Sequence, residues 1–132
     1  MLIQIEVNSE KPIYMQVHDQ VIEGIARGEL YAGYSLPSIR QLAADFGINL
    51  HTVNKAYDLL EREGYIVLRR KTGAVVQLTP SLPPDWDTRQ RTVLAEALAK
   101  NIDPDEIIRR SRHILDQFIA QRQHYQSNAE ME

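Results

Sequence analysis

Two short helical segments that follow one another across a single glycine, Gly47, constrain the fold of this chain more than any other feature. The first opens with the capping-box pair Ser38 and Gln41 and carries four apolar residues on one face: Ile39, Leu42, Ala43 and Phe46. The second follows Asn49, a favoured capping residue, and runs to about Glu63 with an apolar stripe of Val53, Ala56, Tyr57 and Leu60. Helices this short, joined by so tight a turn, indicate a helix-turn-helix.

The second of these helices has a polar first turn that a core does not require. In a helix-turn-helix, this turn faces base edges in the major groove, where such side chains can hydrogen-bond. The predicted readers are Asn49, His51, Thr52, Asn54 and Lys55. In the preceding helix, Arg40 should point outward towards phosphate or guanine, and Ser38 lies at a helix start that favours phosphate. Taken alone, the polar turn is more typical of a solvated surface; the order of the surrounding elements favours DNA.

A β-hairpin is predicted directly after the helix-turn-helix. Residues 65–70 and 74–79 are rich in β-branched and aromatic side chains, and only three residues separate them. A hairpin here would be a wing whose tip approaches phosphates or the minor groove, through Arg69, Arg70, Lys71, Thr72 and Gly73. A strand or extended arm at residues 2–8 and a helix from about Pro12 to Arg27 complete a winged helix-turn-helix domain at residues 1–79.

A stiff, proline-rich linker at residues 80–85 leads to two further helices at residues 86–124. The second helix starts with Asp103 as its cap, Pro104 in the first helical position and Glu106 completing a capping box. Two helices alone cannot enclose a core, so they are predicted to pair with a second copy of the chain. The predicted interface is Leu94, Leu98, Ile107, Ile108, Ile114, Leu115, Phe118 and Ile119. The alternative is that both helices pack against the core of their own chain. Residues 125–132 are predicted to be a disordered tail.

The 132-residue chain has a formal net charge of −3 and no cysteine. Without cysteine, neither disulfides nor thiolate metal sites can form. Residues 1–80 contain 8 basic and 9 acidic residues, so DNA binding would require a local basic patch. No apolar run is long enough for a membrane helix and no signal peptide is evident, so a cytoplasmic protein without a membrane partner is predicted.

No motif of an enzyme or a cofactor site occurs in the sequence, which lacks a glycine-rich phosphate loop, H-E-x-x-H and G-x-S-x-G. We therefore predict no catalytic activity and no cofactor. His113 and His124 lie eleven positions apart on one helix, where an exposed polar face is favoured over a metal site. The run Glu61-Arg62-Glu63 is interpreted as a solvated helix end.

Residues 11–76 resemble the GntR family of transcription factors. The similarity lies in K-P-I-Y-M-Q-V, in G-E-L-Y-A-G-Y-S-L-P-S-I-R-Q-L-A-A-D-F-G-I-N, in T-V-N-K-A-Y-D-L-L-E-R-E-G-Y-I and in T-G-A-V-V. The small two-helix remainder resembles the YtrA subfamily. This resemblance implies a dimeric winged-helix repressor, often of an operon for an ABC-type transporter.

Individual family positions carry over to this chain. Arg40 matches the arginine of a P-S-x-R motif, and Thr52 opens the T-V pair of the reading helix. His51 stands where asparagine or threonine is common, Leu50 where arginine or proline is common, and Lys71 where the wing usually has glycine. A small-molecule effector, if one exists, would bind at the dimer interface or between the two parts.

The chain is thus predicted to be mainly α-helical with a small β-hairpin wing: a winged helix-turn-helix followed by a two-helix dimerisation unit. The favoured function is a dimeric, sequence-specific repressor that reads a palindromic operator in double-stranded DNA. The alternative is a winged-helix protein-interaction module without DNA binding, which the net charge and Leu50 keep open.

Overall fold

The computed structural model describes residues 3–70 and 73–131. The chain divides into two compact units, an N-terminal unit of residues 1–79 and a C-terminal unit of residues 80–132. The N-terminal unit contains the helices α1 (Ile13–Ala26), α2 (Ile39–Phe46) and α3 (Leu50–Arg62), and the strands β1 (Ile66–Arg69) and β2 (Gly73–Val76). The C-terminal unit contains α4 (Trp86–Ala99) and α5 (Pro104–Met131).

Side-chain caps define where α2 and α3 begin. The hydroxyl of Ser38 accepts a hydrogen bond from the backbone N–H of Gln41, at 3.0 Å. The Asn49 side-chain oxygen accepts one from the N–H of His51, at 2.8 Å. The predicted capping box of α2 is only half made, because the Gln41 amide donates instead to Asp45.

Gly47 makes the turn between α2 and α3. Its φ of 62° lies in the left-handed region, which glycine adopts without the steric cost that other residues incur. In this conformation the N–H groups of Gly47 and Ile48 both donate to the carbonyl of Ala43, so the end of α2 remains hydrogen-bonded. The turn therefore needs only Gly47, Ile48 and Asn49, and α3 starts immediately beyond them.

The hairpin is antiparallel and pairs Ile66 with Val76 and Arg69 with Gly73. A short segment before α2 lies on the other side of β2. Ser35 bridges to Val75, and the N–H groups of Gly33 and Leu36 each donate to β2 carbonyls at 2.8 Å. This pairing, which the sequence did not predict, attaches the start of α2 to the hairpin.

All the elements of the N-terminal unit contribute to one apolar core. Its fully buried side chains come from α1, α2, α3, the hairpin and the loop that joins α1 to α2: Val17, Val21, Leu30, Leu42, Val53, Tyr57, Leu60, Ile66 and Val76. Three helices packed over a two-stranded hairpin in this order form a winged helix-turn-helix, as the sequence predicted.

The N-terminal arm is held by side chains and not by another strand. The Gln20 side-chain amide bonds both the N–H and the C=O of Gln4. The Gln16 amide bonds both backbone groups of Glu6 at 2.9 and 3.0 Å. Because the two glutamines are one helical turn apart, α1 supplies the hydrogen bonds that a neighbouring strand would give, and residues 3–6 form no strand.

In the C-terminal unit, Asp103 caps α5 by accepting a hydrogen bond from the N–H of Asp105, at 2.8 Å. The predicted capping box is incomplete here too, because Glu106 pairs with Arg110. Helix α5 continues to Met131, beyond the end predicted at residue 124 and through most of the tail predicted to be disordered. The segment after Tyr125 contains neither glycine nor proline and includes the good helix formers glutamine, alanine and glutamate. None of the helices described is both long and apolar enough to cross a membrane.

Candidate nucleic-acid interface

Helix α3 divides sharply into a buried face and an exposed face. Val53, Ala56, Tyr57 and Leu60 have no measurable exposure. His51, Asn54, Lys55 and Asp58 are exposed on the other side. The helix is therefore held by one apolar stripe, and its opposite face is available to a ligand from its first turn onwards.

The predicted reading residues differ in their exposure and in whether their side chains already have a partner within the protein. His51 and Asn54 are exposed, and no hydrogen bond or ion pair within the described residues engages their side chains. Thr52 is half-buried. The Asn49 side-chain oxygen is occupied by its capping bond, and the Lys55 ammonium lies 4.0 Å from the centre of the Tyr14 ring. A cation over an aromatic face is attracted by the ring quadrupole, so Lys55 has a partner within the protein.

Arg40, in the first turn of α2, is exposed, and no ion pair within residues 3–70 and 73–128 engages it. Ser38 directly precedes that helix and is exposed, although its hydroxyl already serves as the cap. Helices α2 and α3 pack against each other. A free guanidinium is therefore available beside the candidate reading helix.

The hairpin contributes basic residues at its outer end. Arg69 and Arg70 are exposed, and Gly73 has a φ of 73°, a left-handed conformation suited to glycine. Lys71 and Thr72, also predicted to contact DNA, lie outside the described residues. The described part of the wing thus carries two guanidinium groups at the end of β1.

Three contacts that the sequence did not predict hold these surfaces in place. The buried Tyr57 hydroxyl donates to the carbonyl of Pro37, at 2.7 Å, which ties α3 to the residue before Ser38. A Glu61 carboxylate oxygen accepts from the N–H of Leu68, at 2.7 Å, which ties α3 to β1. Glu63 lies 2.7 Å from Nε2 of His18 in α1.

Glu61 and Arg62 are exposed, as predicted for a solvated helix end, but Glu63 is half-buried. Both glutamates also have hydrogen-bond partners that the prediction did not include. Their partners are seven and 45 positions away in the sequence. A local pattern of charges does not reveal partners at such distances. One feature of the sequence does indicate that α1 needs a polar partner: His18 lies on the apolar side of that helix, between Val17 and Val21.

Asp19 and Lys11 extend the contact of His18. Nδ1 of His18 lies 2.8 Å from Asp19, and the Lys11 ammonium donates to Asp19 at 2.7 Å. Burial disfavours the charged carboxylate, but the hydrogen bonds from Lys11 and His18 outweigh it and hold the pKa of Asp19 below its usual value. The network links the chain before α1, helix α1 and the end of α3.

The residues predicted to form a dimer interface divide into two sets. Leu94, Ile107 and Phe118 are partly buried within the C-terminal unit. The others are between 42% and 66% exposed: Leu98, Ile108, Ile114, Leu115 and Ile119. Five large aliphatic side chains on two helices, all substantially exposed, make an apolar surface that the described part of the chain leaves uncovered.

His113 and His124 are both exposed. His124 contacts Asn128 at 3.1 Å and Tyr125 edge-on. Among the described residues, no three histidine, aspartate or glutamate side chains converge as a metal site would require.

The sequence of the N-terminal unit is similar to those of known regulatory proteins. The family model described as bacterial regulatory proteins, gntR family, matches residues 13–76. The transcriptional repressor YtrA of Bacillus subtilis (strain 168) is 43% identical over 75 residues, 57% of this chain and 58% of that protein. The chain therefore spans less than two thirds of the length of that relative.

Two solved structures extend the similarity into the C-terminal unit. YtrA from Sulfolobus acidocaldarius, a GntR-family transcription factor, is 45% identical with a TM-score of 0.64, over 75% of this chain and 99% of that one. A transcriptional antiterminator from Listeria monocytogenes EGD-e is 29% identical with a TM-score of 0.76, over 90% of this chain and 93% of that one.

Proposed function

The chain belongs to the GntR family of bacterial regulatory proteins and resembles its YtrA members, and on that basis we propose that it is a homodimeric repressor that reads a palindromic DNA operator. Its relatives are transcription regulators and not enzymes. Beyond membership of this family, we propose which residues contact DNA, that the protein is a dimer, that it represses transcription and that its operator is palindromic.

One observation carries the proposal: the exposed face of α3 presents His51 and Asn54 without partners among the described residues, while the opposite face is fully buried. Asparagine can pair with adenine through two hydrogen bonds, and imidazole can donate or accept. Arg40 adds a guanidinium that suits guanine or phosphate. Together these residues match what base edges in a major groove require.

The remaining predicted contacts take secondary roles. Asn49 serves first as the cap of α3, and Lys55 would have to leave Tyr14 to reach a phosphate. Ser38 and Thr52 offer hydroxyl groups near the helix starts. Arg69, Arg70, Lys71, Thr72 and Gly73 form a wing that would contact the backbone or the minor groove.

The dimer is supported by the uncovered aliphatic surface of the C-terminal unit. Ile108, Ile114 and Leu115 are 53–66% exposed. Because complete burial of a fully exposed side chain of this size contributes about 1.5–3 kcal/mol, covering the exposed part of each would contribute roughly half of that. Two copies related by a twofold axis would cover the surface and place two reading helices on one duplex. A palindromic operator follows from that symmetry.

Repression of a transporter operon is proposed from the resemblance to YtrA regulators alone, and a cytoplasmic location follows from the DNA target.

A salt titration of DNA affinity tests this function against a protein-interaction module. We expect log affinity to fall linearly with log salt concentration, because each neutralised phosphate contributes about −0.9 to the slope. Specific affinity should exceed affinity for random duplex by about 10³-fold or more. The absence of DNA binding at any salt concentration would favour the interaction module, for which the net charge of −3 is the main support.

A further inference from the structure

Leu50, the first residue of α3, is a large apolar side chain on a polar surface. It is 41% exposed, and Asn49, His51 and Asn54 around it are exposed and polar. It belongs neither to the buried core nor to the half-buried apolar residues packed against that core. The contacts that stabilise the N-terminal unit therefore do not account for a leucine at this position.

An isolated exposed leucine is common on protein surfaces, so the position of Leu50 is what matters. Asn54 follows it by one helical turn, so the two side chains lie side by side. The cap occupies the oxygen of Asn49, and Tyr14 engages Lys55. The exposed side chains at the start of α3 that have no hydrogen bond, ion pair or ring contact among the described residues are Leu50, His51 and Asn54. Any duplex that meets this surface meets a leucine between hydrogen-bonding groups.

Base edges differ in whether they present an apolar group that a leucine side chain can contact. In the major groove, thymine alone presents a methyl group, while the other groups are donors and acceptors. A leucine pressed onto a donor or an acceptor would leave that group without its water partner. A leucine against a methyl group removes apolar surface from water on both sides.

We infer that Leu50 is a specificity-determining residue that selects thymine through contact with its C5 methyl group, next to the base read by His51 or Asn54. The inference rests on the proposed DNA reading by α3 and adds the identity of one base. Each operator half-site should therefore contain one thymine that the protein recognises through its methyl group and not through a hydrogen bond.

The test uses the full chain and a duplex selected from random DNA by the unaltered protein. Each thymine of one half-site is replaced in turn by deoxyuridine, which lacks only the methyl group, and affinity is measured at fixed salt. At one position we expect a loss of about fourfold, the equivalent of roughly 0.8 kcal/mol for one methylene-sized group. Leu50→Ala should bind the unmodified duplex more weakly and be indifferent to deoxyuridine at that position.

Val7→Ala is the matched control, since Val7 is an 81% exposed aliphatic residue of the same unit that lies outside the helix-turn-helix. It should show the same loss on deoxyuridine as the unaltered protein. The inference is overturned if Leu50→Ala retains the full loss, or if no thymine is sensitive in the unaltered protein. If random DNA yields no selected duplex at all, the proposed function fails and the inference with it. A selected duplex without methyl sensitivity overturns only the inference.

Discussion

Tyr57 connects the core to the start of α2, where the candidate DNA contacts Ser38 and Arg40 lie. Its ring is completely buried, and its hydroxyl donates to the carbonyl of Pro37, directly before the cap of α2. Burial raises the pKa of the Tyr57 phenol, so the hydroxyl keeps its proton, and remains a donor, at a pH that would ionise an exposed tyrosine.

Replacing Tyr57 by phenylalanine should destabilise the protein without changing its apolar packing. The Pro37 carbonyl would lose its donor, and we expect the free energy of unfolding to fall by about 1 kcal/mol, measured by urea denaturation. Tyr31→Phe removes a hydroxyl from a 62% exposed ring and should leave stability unchanged. Equal effects of the two substitutions would mean that the Tyr57 hydrogen bond contributes nothing.

Arg40→Ala should weaken binding to the operator by about 1–3 kcal/mol, the range for a side chain paired with guanine. The measurement compares affinity for the selected duplex with affinity for duplexes altered at single guanines. Arg62→Ala is the control, because Arg62 is also exposed but lies at the far end of α3. An equal loss on every duplex would instead make Arg40 a phosphate contact.

At the scale of elements, α1 and α3 are joined by polar groups as well as by the core. His18 is 6% exposed and lies between Asp19 and Glu63, at 2.8 and 2.7 Å. Lys11 completes the group through Asp19. Since α3 carries the proposed reading residues, these contacts hold in place the element on which the proposed DNA recognition depends.

The depressed pKa of Asp19 predicts a dependence of stability on acid. An aspartate whose folded pKa lies below its unfolded value, near 3.9, stabilises the fold above that value, and the contribution disappears as pH falls through the folded pKa. Between pH 5 and pH 2, Asp19→Asn should therefore lose stability less steeply than the unaltered protein, as measured by urea denaturation. Asp58→Asn, on the exposed face of α3, should follow the unaltered protein; identical curves for all three would contradict the assignment.

The starts of α2 and α3 and the turn between them were predictable because their signals are local. Ser38, Gly47 and Asn49 act on backbone groups a few positions away, and apolar spacing reports which face is buried. The glutamines that hold the N-terminal arm act over 10 and 16 positions, and His18 meets Glu63 over 45. Such partners depend on how the elements pack, which no local pattern encodes. The contact between Lys55 and Tyr14 was unpredictable for the same reason. This contact competes with the phosphate contact that the sequence predicted for Lys55.

At the scale of the whole molecule, the C-terminal unit should act through a second copy. Leu115→Asp places a charge on a 53% exposed residue, so it should leave α4 and α5 folded while opposing burial in an interface. We expect sedimentation to show a monomer that binds a palindromic duplex weakly. Gln117→Asp introduces the same charge two positions along α5 and should remain a dimer. A dimer in both variants, with unchanged helical content, would refute the interface.

The most direct test of the proposal that the start of α3 reads DNA is a parallel selection of binding sites from random duplex at fixed salt, using the unaltered protein and His51→Ala. We expect the unaltered protein to select two inverted half-sites about one helical turn apart or a multiple of it. His51→Ala should lose preference at one position in each half-site and bind random DNA as before. Identical selected sequences for both proteins, or a single half-site without symmetry, would contradict the reading helix or the dimer respectively.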